Sequence, residues 1–428
     1  METDHHDEQF LPHDVVLEIA ARISCPATVV RCAALSKPIR RAVLRRQFLR
    51  RLVRRRAIAG AAANNRRRFV PSLLLGVYHR PIRHASADRP LEFSPASASA
   101  ARVAASLALP VDGEAGDGVF GPYTALSSRR SLVVLRRRRH GGGEITVCNA
   151  ATGERWVIPP PHAGVAEEQS LVLLDVAHRH GRAGTRSSFS LLAAQLPLTT
   201  PTTLTFQVFS SSSGEWGPPV GCAVSRRCEL HCPPGTNPVV LRGGGGAAVH
   251  WLCATGSGNR VLKLSLRQPK ASLMRLPPPC ESGVDDVIDT CLALSPATDG
   301  RRRSLSVIAL RRDGITVWVR AGDGEGRRGG WGWERRHVIR EDGVARPVDL
   351  GEGWMGRMRR LEWFGEGSGA VLMEGNGGGG GGALVLDMGG MAVKKLGEMI
   401  DGRRQHFELY CPYEVDLISY MMFVMNPF

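Results

Sequence analysis

Between residues 131 and 396 one pattern recurs five times, and it limits what the chain can fold into more than any other feature. Each unit reads as an alternating apolar strand, a polar or Gly-rich turn, and a second strand led in most units by a bulky residue. The units are Glu144–Pro161, Leu204–Trp216, Val261–Leu266 with Leu273–Pro279, Ile315–Val319 with Trp331–Arg335, and Ala383–Leu396. Upstream of each lies a further apolar run: Ser131–Leu135, Leu171–Asp175, Val249–Cys253, Leu305–Leu310 and Ala370–Met373. Successive units start roughly 54 to 68 residues apart, long for propeller blades but compatible with loop insertions. Gly and Pro number 50 and 27 while aromatics are 6%, which favours many short strands over a helical bundle. Radial packing of four-stranded sheets accounts for this texture; a pair of β-sandwiches is the alternative.

The N-terminal part has a different character. Residues 1–30 hold six acidic side chains and one arginine, whereas residues 31–90 hold seventeen Lys or Arg against the single acid Asp88. A first helix opens at Leu11-Pro12-His13-Asp14, and Val15, Val16, Ile19, Ala20 and Ile23 follow at helical spacing. Glu18 and Arg22, four apart, are expected to pair on the opposite face. A second helix begins near Pro26, and a third begins after Ser36 and runs through Ile39, Val43, Leu44, Phe48 and Leu52. Three such short helices cannot bury all these apolar positions among themselves, so some must face a partner or a second domain.

The stretch Leu11-Pro12-x-Asp14-Val15-Val16-x-Glu18-Ile19-x-x-Arg22-Ile23 resembles the opening of an F-box. Val30 to Lys37, Arg40 to Val43 and Phe48-Leu49 resemble its middle and tail, with Ile39 where the family usually has tryptophan and Pro38 before it. The later repeats, with Val70–Gly76 and Cys411–Leu417, resemble the kelch-like, F-box-associated propeller domains of grass F-box proteins. On that resemblance the first segment begins the opening blade and the second lies near the end of the last.

The formal charge of +16 is almost all arginine, with lysine only at Lys37, Lys263, Lys270, Lys394 and Lys395. Abundant Arg, Ala and Gly is what a GC-biased coding sequence produces, so bulk charge alone is a weak pointer to nucleic acid. Arg40 to Arg56 carries nine arginines but one aromatic, Phe48, whereas single-strand binders interleave aromatics for stacking. It reads as a solvated helix face, with a nuclear-localisation patch at Leu49–Arg56 as the alternative. The ten cysteines include no CxxC pair, and no stretch reaches a membrane-spanning length.

No catalytic constellation stands out. Three GxGxxG matches (116–121, 324–329, 351–356) lack the strand–helix setting of a phosphate site. Cys222, Cys228, His231 and Cys232 cluster, but not at zinc-finger spacing, and read as buried thiols. The glycine runs 243–246 and 377–382 read as flexible loop insertions.

The expected architecture is therefore α+β and multidomain: an acidic tail (1–10), a three-helix F-box-like module (11–56), a linker (57–68) and an all-β, propeller-like domain (69–428). The resemblance implies a non-catalytic substrate receptor of a Skp–cullin–F-box ubiquitin ligase, cytoplasmic or nuclear, with no cofactor and no metal. Its partners would be a Skp-type adaptor, through it a cullin, and a target protein. The expected adaptor contacts are Leu11, Pro12, Val15, Val16, Ile19, Ile23, Leu35 and Ile39. The competing readings are an interaction scaffold whose helices merely cap the β domain, and a nucleic-acid-associated protein using the arginine tract.

Overall fold

A computed structural model describes residues 11–23, 26–34, 36–45, 47–49, 51–52, 69–82, 91–105, 123–137, 143–150, 152–162, 169–181, 184–196, 203–224, 230–232, 237–243, 246–281, 286–295, 303–320, 332–375, 383–396 and 406–425. The expected tail 1–10 and linker 57–68 lie outside these residues, as do Leu35, Cys228, Trp331 and the glycine matches 116–121 and 324–329.

Three helices come first: α1 (His13–Arg22), α2 (Pro26–Ala34) and α3 (Lys37–Val43). The chain then forms β1 (Leu74–Ile82), β2 (Glu92–Pro95) and helix α4 (Ala98–Ala105). A sheet of β3 (Tyr123–Arg129), β4 (Leu132–Arg137), β5 (Ile145–Asn149) and β6 (Arg155–Ile158) follows in meander order. The next sheet holds β7 (Gln169–Gly181), β8 (Gly184–Gln195), β9 (Thr203–Ser210) and β10 (Glu215–Trp216), with β11 (Val220–Ala223) also on β9. Then come β12 (Val239–Gly243), β13 (Gly246–Thr255), β14 (Gly258–Ser265) and β15 (Lys270–Arg275), followed by the short helix α5 (Pro278–Glu281). The fourth meander is β16 (Val287–Ser295), β17 (Ser304–Arg311), β18 (Gly314–Arg320) and β19 (Trp333–Arg340). The fifth is β20 (Met358–Phe364), β21 (Ala370–Gly375), β22 (Ala383–Asp387) and β23 (Ala392–Lys395). The chain ends in β24 (His406–Glu414) and helix α6 (Leu417–Met425).

These sheets form a six-bladed β-propeller, and the packing shows why. Six hydrophobic cores each join one sheet to the next. Val134 and Val147 meet Leu173 and Leu191, and Leu192 and Phe206 meet Val249 and Leu262. Leu252 and Val261 meet Leu292 and Val307, and Ile308 and Val317 meet Val371 and Leu384. Leu74 and Val77 meet Trp363 and Leu372, and Leu75 and Tyr78 meet Tyr123 and Val133. Period-two alternation sends neighbouring side chains to opposite cores: on β17, Leu305, Val307 and Ala309 face one way and Ile308 and Leu310 the other. Middle strands, covered on both faces, are therefore almost wholly buried, while outer strands such as β19 and β23 are largely exposed. This arrangement replaces the β-sandwich alternative.

Outer-strand tryptophans stitch blades together. Trp216 Nε1 donates to the Pro159 carbonyl beyond β6 (2.6 Å), and Trp333 Nε1 donates to the Arg275 carbonyl ending β15 (3.0 Å). Each bond runs from the outermost strand of one blade to that of the blade before it.

The ring closes through its two ends. β24 pairs antiparallel with β1, Val77 opposite Pro412 and Tyr78 opposite Cys411, and β2 completes the sheet. The segments expected in the opening and last blades thus share one blade. Gly76 is required there, because a Cβ would lie 2.3 Å from the Ser94 carbonyl oxygen. The helices join the same structure: Val29, Ala33, Val43, Phe48 and Leu52 share one core with Leu75, Tyr413 and Met421, and α2 packs on α6.

Several local expectations change. The third helix does not run on to Leu52 but ends at Val43, with a turn at Leu44–Arg45 and helical residues again from Gln47. Continued at about 3.6 residues per turn, the Ile39–Val43 stripe would bring Arg46 and Arg50 inward; the break lets Phe48, Leu49 and Leu52 be buried instead. In the second blade the apolar run Leu171–Asp175 is the innermost strand β7, and β8 stands between it and β9. Gly243 pairs with Gly246 at the end of the β12–β13 pairing, while Gly244, Gly245 and the run 377–382 lie outside the described residues. Around 351–356 the amides are already taken: Glu341 accepts from Gly353 N (2.6 Å), Trp354 N (3.3 Å) and Met355 N (3.2 Å).

Two predictions follow from this packing. Met421 on α6 is fully buried in the core shared by helices and closing blade. Met421→Ala is expected to cost about 2–5 kcal/mol and to lower the melting temperature of the whole β signal in circular dichroism. Glu362 on β20 has its carboxyl raised to about 7 by burial, with Glu374 and Asp289 adding to the rise and Arg360 opposing it. The folded state holds this proton more tightly than the unfolded one, so the group costs stability as pH rises from about 4.5 to 7. Glu362→Gln is expected to flatten that part of the stability–pH curve, measured by urea unfolding.

Candidate docking surface and central cavity

Helix α1 starts at Pro12, whose carbonyl accepts from Val15 N (2.9 Å) and Val16 N (3.2 Å). The apolar positions that spacing gathered into one stripe divide between two faces. Val16, Ala20 and Ile23 face the shared core, with Ala20 fully buried. Val15 and Ile19, one turn apart on α1, and Leu11, just before the helix, are instead 41%, 47% and 61% exposed. Glu18 and Arg22 pair at 3.1 Å and flank this outward apolar row, where the sequence reading set them opposite it. Glu18 also pairs with Arg51, which ties the basic tract to α1.

Of the eight expected contact residues, Leu11, Pro12, Val15 and Ile19 are exposed. Val16 and Ile23 are half-buried against the core. Ile39, 8% exposed, is packed in the shared core. The other exposed large hydrophobics among the described residues, Val157, Val338 and Val348, sit on three separate elements of the propeller. On α1, by contrast, Val15 and Ile19 share one helix, with Leu11 just ahead of it.

A second feature lies on the propeller axis. The innermost strands β3, β7, β12, β16, β20 and β24 border a cavity of about 530 Å³. Arg129 crosses its wall: Nη1 donates to the carbonyls of Leu173 (3.0 Å) and Leu174 (2.8 Å), and Nη2 donates to Glu366 Oε2 (3.1 Å). Arg303 reaches the same carboxylate oxygen at 3.3 Å. Arg130 donates to the Val176 carbonyl (3.4 Å), and burial, then the neighbouring Arg129, holds its guanidinium below its ordinary range. Glu414 accepts from Gly367 N (3.2 Å) and Ser368 N (2.7 Å), but burial still pushes its carboxyl up. The wall thus carries Arg129, Arg130 and Arg303 together with Glu366 and Glu414.

The β3–β4 turn at the cavity rim is held in a backbone form that L residues seldom adopt: Arg130 has φ 46° and Ser131 φ 71°. Ser131 N donates to the Glu414 carbonyl (2.8 Å), and the Tyr413 hydroxyl donates to the Ser131 carbonyl (3.2 Å). Ser131 Oγ donates to Asp416 Oδ2 (3.3 Å), whose carboxylate also caps α6 through Ile418 N (3.0 Å) and Ser419 N (3.1 Å). The closing strand therefore shapes the cavity mouth.

The thiol cluster resolves differently from its spacing. Cys222 is buried on β11, and Cys232 lies against Cys253 of β13, with the sulfurs 2.6 Å apart. Among the described residues no group of three or more His, Cys, Asp or Glu is placed to hold a metal. Nor is any described helix long and apolar enough to cross a membrane.

No curated protein matches the chain. Among solved structures, a protein from Lactobacillus plantarum is similar at 11% identity and TM-score 0.32, over 80% of this chain and 98% of that one. One from a study of two prolyl endopeptidases is similar at 9% identity and TM-score 0.33, over 85% of this chain. The match spans about half (53%) of the prolyl endopeptidase chain. Both scores are below the level at which a likeness bears on fold or function. A family model matches over most of the chain: residues 94–428 fit the "Domain of unknown function (DUF7595)", beginning inside β2 and running to the last residue. The chain belongs to the DUF7595 family, and its propeller takes β1 from residues before the family's own boundary.

Proposed function

We propose that this protein is a non-catalytic substrate receptor of a Skp–cullin–F-box ubiquitin ligase. Its N-terminal helices dock on a Skp-type adaptor, which links it to a cullin, and its kelch-like propeller holds a target protein for ubiquitin transfer by other subunits. The observation that carries this reading is the exposure of Val15 and Ile19 on the helix whose sequence resembles the F-box opening, with Leu11 exposed just ahead of it. An apolar helix face of this kind is suited to lie in a groove on a partner helix bundle. The work would be done in the cytoplasm or nucleus, where such adaptors act.

The scaffold reading has its own support, since α1 to α3 share a core with the closing blade as a cap would. A cap, however, has no use for three large apolar side chains turned to solvent, so docking accounts for more of the surface. The nucleic-acid reading leans on the arginine tract, of which Arg46, Arg50 and Arg54–Arg56 lie outside the described residues and Arg51 pairs with Glu18.

Calorimetric titration of the full chain with a purified Skp-type adaptor tests the proposal. Leu11→Asp and Ile19→Asp are each expected to weaken binding by about tenfold or more, about 1.4 kcal/mol per decade, without lowering the melting temperature. No binding by the unaltered protein, or equal binding by both variants, contradicts the proposal.

A further inference from the structure

We propose that Cys232 and Cys253 form a reversible dithiol–disulfide site that staples the connection between two blades to the middle of the second one. The backbone sets the pair face to face. His231 and Ala254 exchange both of their hydrogen bonds, His231 N to the Ala254 carbonyl (3.1 Å) and Ala254 N to the His231 carbonyl (2.7 Å). Cys232 and Cys253, one step along, therefore occupy a non-hydrogen-bonded antiparallel position, where Cα atoms approach to about 4.5 Å and side chains lie closest. That spacing falls within the range a disulfide spans without backbone movement. The two side chains converge with their sulfurs in direct contact, as that backbone pairing leads one to expect.

Exposure gives the two thiols different parts. Cys253 is wholly buried on β13, whereas Cys232 is half-buried. Cys232 is the one that a small oxidant reaches, and Cys253 is the resolving thiol beside it. With glutathione disulfide as the oxidant, the Cys232 thiolate attacks one of its sulfurs, breaking that S–S bond and releasing one glutathione thiolate. The Cys253 thiolate then attacks the Cys232 sulfur, breaking the mixed disulfide and releasing the second glutathione. The two electrons leave on two glutathione thiols, which take up the two protons from the cysteines. The bond ties Cys232, which follows blade β7–β11, to a strand of blade β12–β15. Its effect is to fix how that connection lies on the ring.

The test is to equilibrate the full chain in buffers running from reduced to oxidised glutathione, block free thiols with a maleimide, and analyse intact and digested protein by mass spectrometry. The expected result is joint loss of two of the ten labelled thiols, a cross-linked peptide joining Cys232 to Cys253, and a higher melting temperature for the oxidised form. Cys232→Ser is expected to abolish the cross-link and the shift, and Cys253→Ala to stop at a glutathione adduct on Cys232. Because Cys232 is half-buried, its variant keeps the test decisive even if Cys253→Ala fails to fold. Full labelling of Cys232 under oxidising conditions, or a cross-link from it to a different cysteine, overturns the proposal. This inference is independent of adaptor docking.

Discussion

The pairing of β24 with β1 is the interaction on which everything else depends. It joins residues more than three hundred positions apart, Leu74 with Glu414 and His79 with Tyr410, and turns an open array of sheets into a ring. Without it, Leu74 and Val77 on one face and Leu75 and Tyr78 on the other would each lose half of a core. The same strand end holds the strained β3–β4 turn at the cavity rim and leads directly into α6. Closure, cavity shape and helix anchoring are thus one device.

Seen this way, the N-terminal helices are built onto the closing blade. Their inner faces merge with its core while α1 turns Val15 and Ile19 outward and Leu11 stands exposed just ahead of it. A docking head carried rigidly on the ring would hold a bound target at a fixed distance and orientation from whatever the head binds. A freely linked head would not. For the receptor role proposed above, rigid attachment of this kind would serve to position the target.

What could be read in the chain beforehand follows the physics of burial. Middle strands such as β13 and β17 are covered on both faces, so they appear as plain apolar runs, and tryptophans such as Trp156 and Trp216 marked outer strands. Innermost strands were harder to see, because they border the cavity and carry Ser127, Arg129 or Glu362 among their apolar residues. The β1–β24 register leaves no periodic trace, since hydrogen-bond partners so far apart share only strand character. On α1, spacing identified the apolar positions but not which would find partners; that was decided by the phase of the helix against α2 and α3. The Cys232–Cys253 contact had no motif at all, arising from an isolated bridge between a connection and β13.

Native-state hydrogen exchange on the full chain tests the central claim, that helices and propeller are one closed unit. Amides of β1, β24, α2 and α6 are expected to share a single large opening free energy and to lose protection together as denaturant rises. Exchange of the α2 amides through a separate, low-energy opening, while β1 and β24 stay protected, would contradict it.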